Sequence, residues 1–401
     1  MPPSESSSSR RGGGAMWVAA AEMAAIYLIS TIPTPLYAIY QERFGFSQIM
    51  LTLIYAVYVV GTTAAMFFLG RVSDQIGRRP VVLVSLGIVA ASAFCFIAAR
   101  GVVWLFAARA LSGLAIALAS GATAAWILEL EPAKDKARAA RITTAANLLG
   151  LGVGALAAGL LAEYAPSPLV LSYVVFLVVL LPISWLSARL PETIKDAEPM
   201  EKISMRPRIG VPRDLWMRFL PPAVAAFAVL SVMGFYSALI PTLLSGALQN
   251  KNHAVAGAVV AELFVLGTFA VASFPQLGER AGLMISLALL LPSIGALLAS
   301  EAMHSMWLLI AATVIGGVST AVGFQYSLEA VNKMAPKEKR SEIISMYMIF
   351  CYAGVSLPVV GIGVLSTWMR PLIADAIFAG VVGVLVIASL IGGVMLARKD
   401  S

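Results

Sequence analysis

The sequence predicts an all-α polytopic membrane protein with twelve transmembrane helices in two six-helix bundles. The prediction depends on an apolar composition, on twelve long apolar runs, and on an internal repeat. Of 401 residues, 60% are hydrophobic and only 12% are charged, whereas soluble domains carry about 25% charged residues. A soluble chain this apolar would expose large hydrophobic patches and aggregate, so the composition indicates a lipid environment.

The twelve apolar runs have the length that a transmembrane helix needs. About 20 residues cross roughly 30 Å of hydrocarbon. The runs are continuous, whereas the strands of a transmembrane barrel alternate between apolar and polar residues. In chain order, spans 1–12 are predicted at residues 15–40, 49–70, 80–99, 103–128, 142–163, 169–189, 216–242, 254–275, 281–299, 306–330, 342–365 and 373–397.

The order of these runs divides the chain into two bundles and three polar segments. The first run is too long for the core of a signal peptide, which indicates a retained first span. The segments are a disordered tail (1–14), an N-terminal six-helix bundle (15–189), a cytoplasmic linker (190–215), a C-terminal six-helix bundle (216–397) and a cytoplasmic tail (398–401).

The basic residues predict the orientation. Of the 28 Lys and Arg residues, the loops on one side hold only Arg43, Arg100, Lys251 and Arg370. Cytoplasmic loops are enriched in Lys and Arg, so both termini are expected in the cytoplasm. The net charge of +7 therefore reflects topology and does not indicate nucleic-acid binding, because the basic residues are scattered over short loops.

The two bundles repeat each other at an offset of about 204 residues. Matched spacing in separate loops predicts halves related by pseudo-two-fold symmetry. Transporters built from such repeats hold their substrate between the halves, near the middle of the membrane. The matching pairs are Gly113 and Gly317, Pro132 and Pro336, Asp74 and Glu279, and Gly77 and Gly282.

The loop between spans 2 and 3 contains Gly70, Asp74, Gly77, Arg78 and Arg79. Gly77 permits a tight turn, and the Asp74 carboxylate is suited to pair with Arg78 or with a helix N-terminus. The pattern Gly-x-x-x-Asp-x-x-Gly-Arg-Arg resembles the signature of the major facilitator superfamily. The resemblance implies that this loop is a conformational latch between the inner ends of spans 2 and 11 in the outward-open state.

Span 5 carries a second resemblance, to the drug:proton antiporter branch of that superfamily. Its glycines Gly150, Gly154 and Gly159 resemble the motif Gly-x-x-x-Gly-Pro-x-x-Gly-Gly. Ala155 replaces the proline and Ala158 one glycine of that motif. Glycines at this spacing also form ordinary packing faces between helices, so both interpretations stand.

Three ionisable residues inside the spans are candidates for proton coupling: Glu22, Arg109 and Glu262. Each costs roughly 2.5–3.5 kcal/mol at the centre of the membrane, so such residues usually face a cavity. Glu22 resembles the membrane-embedded acid in span 1 of some multidrug antiporters; the alternative is an acid that reaches the inner surface. Arg109 begins an Arg-x-x-x-Gly motif of the same branch, ending at Gly113, and its alternative is a structural contact with backbone carbonyls. Glu262 is a second candidate for a proton or a cationic substrate.

By depth, Glu22 and Arg109 are offset by roughly 10 Å, which does not favour a direct salt bridge. Aromatic and polar residues of the spans are candidates for lining a substrate cavity, which would suit amphiphilic or aromatic solutes. For Glu329, the alternative to lining the cavity is a position at the membrane interface. These candidates are Tyr27, Tyr55, Tyr58, Asn147, Tyr236, Gln325, Tyr326, Glu329, Tyr347 and Tyr352.

The sequence contains no phosphate-binding glycine loop of an ATP-driven pump and no cluster typical of a metal enzyme. We therefore expect a transporter rather than an enzyme, without a cofactor or a metal. The leading hypothesis is a proton-coupled exporter of a small organic compound. The alternatives are a proton symporter or uniporter that imports a metabolite or anion, and a receptor or lipid-handling protein. The expected partners are a small-molecule substrate, protons and the lipid bilayer of the cell (inner or plasma) membrane, without nucleic acid, and the chain is expected to be monomeric.

Overall fold

The structure is a computed structural model that describes residues 5–69, 72–194, 209–273, 277–336 and 339–400. The helices among these residues are α-helices and a short 3-10 helix at Arg213–Leu215, and these residues contain no β-strand. The α-helices are α1 (Glu5–Thr31), α2 (Pro33–Phe44), α3 (Gln48–Leu69), α4 (Val72–Ile76), α5 (Arg78–Ile97), α6 (Val102–Leu130), α7 (Lys136–Tyr164), α8 (Pro168–Ser187), α9 (Trp216–Gly246), α10 (His253–Ser273), α11 (Glu279–Ala302), α12 (Met306–Met334), α13 (Arg340–Leu365) and α14 (Pro371–Asp400).

Twelve segments of the described chain are long and apolar enough to cross a membrane, which confirms the predicted all-α, twelve-span fold. The first span combines α1 and α2 over Gly14–Phe44, and α3 and α5–α14 supply the other eleven. The cytoplasmic location of the termini stays a prediction.

Apolar side chains cover much of the outside of these helices. Leu181 on α8 is 70% exposed and Val384 on α14 is 66% exposed, whereas Glu22 and Arg109 are fully buried. Lipid tails are as apolar as leucine, so apolar burial does not hold helices together in a membrane. Close packing and hydrogen bonds do so instead.

The helical contacts divide the chain into two compact units. Unit 1 comprises Met1–Pro33 and Val60–Pro207, and unit 2 comprises Thr34–Val59 and Arg208–Ser401. The division passes through span 1 and through α3, so the C-terminal part of span 1 and the first half of α3 belong to unit 2. The bundle boundaries 15–189 and 216–397 stay a prediction, and most of the linker, 195–208, lies outside the described residues.

The first span is interrupted at Ile32, between α1 and α2. Pro33 and Pro35 lack the backbone N–H that would continue the helix, as their positions in the sequence indicate. At the other end, α1 begins at Glu5, and the apolar span begins at Gly14. The disordered tail at residues 1–14 stays a prediction.

A close approach of two backbones occurs in each unit. In unit 1, a methyl group at Gly150 of α7 would collide with the carbonyl of Ala24 on α1. In unit 2, one at Gly354 of α13 would collide with the carbonyl of Phe227 on α9. Glycine lets these helices pack backbone to backbone, as is usual for helix pairs in lipid.

Candidate functional site

Glu22 lies on α1 in the interior of unit 1 and is fully buried. The Thr123 hydroxyl of α6 donates a 2.7 Å hydrogen bond to its Oε2 atom. Its Oε1 atom has no hydrogen-bond partner among the described residues. Burying an ionised carboxylate with so few hydrogen-bond donors is costly.

Arg109 of α6 is also fully buried. One of its Nη1 hydrogens is donated to the backbone carbonyl of Ser30, at 2.8 Å. Ser30 lies in the last turn of α1, where carbonyls lack intrahelical donors and the helix dipole is negative. The guanidinium therefore stabilises the end of α1 beside the break at Ile32. This is the contact with a backbone carbonyl that the structural alternative for Arg109 predicted.

The glycine face of α7 packs against α1 near these two groups. Besides Gly150 at Ala24, a methyl group at Gly154 would collide with the carbonyl of Leu28 and with the Thr31 hydroxyl. The Thr31 hydroxyl donates a 2.6 Å hydrogen bond to the carbonyl of Leu151. Gly159 is buried further along α7. Helix α1 therefore lies between α6, which supplies the polar partners, and α7, which supplies the close backbone contact.

A second cluster in unit 1 surrounds the turn between spans 2 and 3. Arg78 is buried at the start of α5 and forms ion pairs with Asp74 and with Glu129, the latter at 3.0 Å. Its guanidinium also donates a 2.9 Å hydrogen bond to the Ser73 hydroxyl. Arg78 thus joins the loop helix α4 to the end of α6, within the loop that the sequence singled out.

Glu192, just after α8, caps the N-terminus of α5. Its carboxylate accepts hydrogen bonds of 3.0 Å from each of the backbone N–H groups of Arg78 and Arg79. Partial burial opposes ionisation, but the backbone N–H donors, which include those of Ile194 and Thr193, outweigh it and lower the pKa of Glu192 from its ordinary value. A carboxylate at a helix N-terminus also interacts favourably with the helix dipole.

Gly77 is required where the chain turns into α5. Its φ angle is 110°, a conformation that L side chains rarely adopt, and a side chain there would collide with the Glu192 carboxylate. Of the other predicted latch residues, Asp74 is half exposed and Arg79 is exposed, while Gly70 lies outside the described residues. The latch to span 11 stays a prediction.

In unit 2, Glu262 lies on α10, which is the predicted span 8, and is half-buried. It interacts electrostatically with Tyr236 of α9, which is fully buried. The Thr313 hydroxyl of α12 donates a 3.1 Å hydrogen bond to the Tyr236 hydroxyl. The interior of unit 2 therefore holds a pair of hydroxyl groups with one carboxyl group nearby.

The remaining cavity candidates divide between the units. Tyr347 is fully buried and its hydroxyl lies 2.7 Å from that of Ser327. Glu329 is 41% exposed and forms a 2.9 Å ion pair with Lys333, which agrees with the interfacial alternative. A shared cavity stays a prediction. Tyr27 and Asn147 belong to unit 1, and Tyr55, Tyr58, Gln325, Tyr326 and Tyr352 to unit 2.

Sequence reasoning assigned no role to Thr123, Glu129 or Glu192. Thr123 follows Arg109 by about four helical turns and so shares its face of α6, which was a usable signal. Glu192 follows α8, and its partners at the start of α5 are set by the fold. Among the described residues, no group of three or more His, Cys, Asp or Glu side chains is placed to hold a metal.

Comparison with known proteins gives the fold and the family. The nucleoside transporter NupG aligns with 94% of this chain and 99% of its own, at a TM-score of 0.71 and 14% identity. The peptide transporter POT aligns with 97% of this chain and 95% of its own, at a TM-score of 0.76 and 13% identity. At these identities the likeness shows the shared fold.

Curated relatives match over a shorter stretch. The multidrug resistance protein MdtL of Escherichia coli (strain K12 / DH10B) is 39% identical over 69 residues, and so is MdtL of Shigella boydii serotype 18. The match spans 17% of this chain and 17% of the length of those relatives.

The whole fold, the loop motif and the residue pattern agree with one family. The sequence matches the Major Facilitator Superfamily over residues 23–298, which is more than half of the chain. The predicted resemblance is thereby confirmed, and so is the expectation of a multi-pass membrane transporter of a small molecule rather than an enzyme. The chain belongs to the Major Facilitator Superfamily.

Proposed function

We propose that this transporter exports a small amphiphilic or aromatic organic compound in exchange for protons, and that Glu22 carries the proton. The observation that carries the proposal is the environment of Glu22: full burial, one donor from Thr123, and a second carboxyl oxygen without a partner among the described residues.

The chemistry of a carboxyl group in that position supports proton coupling. Neutral carboxyl groups are far easier to bury than ionised ones. When Glu22 is enclosed, the protonated form is favoured, and when water reaches the site, the proton is released. A transporter that exposes the site first to one side and then to the other would carry the proton across.

Arg109 contributes a positive charge. Because it is bound to the carbonyl of Ser30, it moves with the end of α1. We propose that Arg109 is a positioning residue: it holds the interrupted first span and sets the electrostatic field in which Glu22 ionises.

The direction of export is supported by the short likeness to MdtL, whose name states multidrug resistance, together with the residues of spans 1, 4 and 5. The glycines of span 5 give less support than their motif suggested, because Gly150 and Gly354 make the same backbone contact in both units.

The test uses purified protein in liposomes with a pH-sensitive dye inside and a panel of organic cations and neutral aromatic compounds outside. For an exchanger, adding a substrate to liposomes that contain acid drives protons out as substrate enters. A symporter would move both in the same direction, and transport without any proton movement would indicate a uniporter. Either of these results would refute the proposal.

Glu22→Gln is the decisive variant, because glutamine keeps the size of the side chain and can accept from Thr123 but cannot titrate. We expect substrate-driven proton flux to fall to that of protein-free liposomes. Glu163→Gln removes an exposed carboxylate from the end of α7 in the same unit and serves as the control, which should keep wild-type flux. Normal flux in Glu22→Gln would show that the proton site has been misplaced.

A further inference from the structure

Two carboxyl groups of unit 2 meet at the end of the bundle opposite the chain's C-terminus. Glu301 lies in the last turn of α11 and Asp375 in the second turn of α14. Their side chains are 6% and 9% exposed, and they form a side-chain hydrogen bond with each other.

This contact requires a proton. Ionised carboxylates only accept hydrogen bonds, so two of them in contact offer no donor and repel each other strongly away from bulk water. If one carboxyl group keeps its proton, it donates to the other and the repulsion disappears. Paired carboxyl groups that share one proton behave in this way in other proteins.

The pair adjoins a cavity of about 620 Å³ within unit 2, which both residues line. The other charged or titratable residues that line it are His304, after α11, and Arg370, before α14, and both are exposed. Helices α9 and α13 contribute only apolar, glycine and hydroxyl-bearing residues to its wall. The cavity therefore connects the buried pair with residues that solvent reaches.

Glu301 lines that cavity, and its second carboxyl oxygen is buried. Glu301 is more than nine-tenths buried, and its Oε2 atom has no hydrogen-bond partner among the described residues. An unpartnered anionic oxygen at such a site is costly, and a proton is the smallest ligand that removes the cost.

We propose that Glu301 and Asp375 form a proton-binding site that holds a proton between two carboxyl groups and exchanges it with the medium through the adjoining cavity. His304 and Arg370 line the same cavity, and the positive charge of Arg370 favours release of the proton as the medium becomes less acidic. The site belongs to unit 2, whereas Glu22 belongs to unit 1. The inference does not depend on the direction of transport or on the substrate.

The test is infrared spectroscopy of the full chain in lipid nanodiscs, in the carboxylic-acid C=O stretching region. All measurements use a Glu22→Gln background, so that Glu22 contributes nothing. The double substitution Glu301→Gln and Asp375→Asn keeps the size and hydrogen-bonding capacity of both side chains. We expect it to remove the absorption of one protonated carboxyl group at neutral pH.

The matched control is Glu42→Gln, which removes an exposed carboxylate from α2 in the same unit and should leave the absorption unchanged. If the double variant does not fold, Asp375→Asn alone gives the same reading, because the asparagine amide donates to Glu301 and leaves it ionised. The proposal is overturned if the carboxylic-acid absorption at neutral pH is the same with and without the pair.

Discussion

Units 1 and 2 carry different chemistry at equivalent positions of spans 4 and 10. At the repeat offset of about 204 residues, Arg109 corresponds to Thr313. Arg109 contacts the carbonyl of Ser30, across to span 1, and Thr313 contacts the hydroxyl of Tyr236, across to span 7. The same pair of helices is bridged in both units, by a charge in unit 1 and by neutral hydroxyls in unit 2.

The next buried contact on these helices repeats the difference. Thr123 donates to the carboxylate of Glu22 in unit 1, while the equivalent Ser327 pairs with the hydroxyl of Tyr347 in unit 2. The residue equivalent to Glu22 is Ala226, which is fully buried. At this position of the common scaffold, unit 1 therefore carries an ionisable side chain and unit 2 carries an alanine.

The loops after spans 2 and 8 show the same scaffold with the charges exchanged. In unit 1, Glu129 at the end of span 4 pairs with Arg78. At the equivalent position of unit 2, Lys333 pairs with Glu279, at 2.8 Å. The two ion pairs have similar geometry. Arg78 is 8% exposed and Lys333 is 60% exposed, so the two pairs contribute differently to the free energy of unfolding.

The largest expected effect is on proton flux, and it distinguishes the buried acid of unit 1 from the half-buried acid of unit 2. Glu22→Gln should abolish substrate-driven proton flux, whereas Glu262→Gln, which changes a half-buried acid of unit 2, should retain most of it. Substrate-driven proton flux in liposomes that contain each variant measures both effects. If Glu262→Gln loses flux and Glu22→Gln keeps it, the assignment of the proton to unit 1 is wrong.

The second prediction concerns the glycines that the units share. Gly150→Ala and Gly354→Ala each place a methyl group against a backbone carbonyl, so each should destabilise the protein by about 1–3 kcal/mol. Gly121→Ala, on α6, meets nothing within 4 Å and should be neutral or slightly stabilising. Thermal unfolding in detergent compares the three. A much larger loss of flux in Gly150→Ala than in Gly354→Ala, at equal stability, would restore a specific role for the span 5 motif.

The third prediction compares how much the two ion-pair clusters contribute to the free energy of unfolding. Arg78→Met removes a buried donor to Glu129 and Asp74 and should lower the free energy of unfolding by about 2 kcal/mol. Lys333→Met removes an exposed partner and should cost about 0–1 kcal/mol. Chemical unfolding followed by tryptophan fluorescence measures both. Equal losses would mean that burial does not distinguish the clusters.

The smallest effect is a pH dependence at the turn into α5. The pKa of Glu192 is lowered in the folded state, so its stabilisation is present above the ordinary value of 4.5 and is lost as the pH falls through the lower, folded value. The melting temperature of Glu192→Gln should therefore lie below that of the wild type at neutral pH, and the gap should narrow as the pH is lowered below about 4.

The control for this measurement comes from unit 2, where Gly282 packs against the ring of Tyr326 instead of a carboxylate. A phenol does not ionise in the acidic range, so the change in melting temperature caused by Tyr326→Phe should be the same at every pH in this range. A gap for Glu192→Gln that stays constant with pH would contradict the capping role.

The sequence by itself determined the number of spans, the break in span 1 and the family. These features depend on local quantities: the length of apolar runs, the missing N–H groups of Pro33 and Pro35, and a turn that needs glycine at position 77. It also selected Glu22 and Arg109, because a charge within an apolar run is visible without knowing its neighbours.

Only the tertiary structure decided which groups these residues meet. Thr123 lies 101 residues from Glu22, and Glu192 lies 114 residues from Arg78, so no spacing in the sequence relates them. Glu301 and Asp375 are 74 residues apart, and the sequence does not indicate their pairing, because each lies at a helix end, where an acid is ordinary. Helix packing brings such residues together, and the chemistry of a buried acid depends on those neighbours more than on its place in the chain.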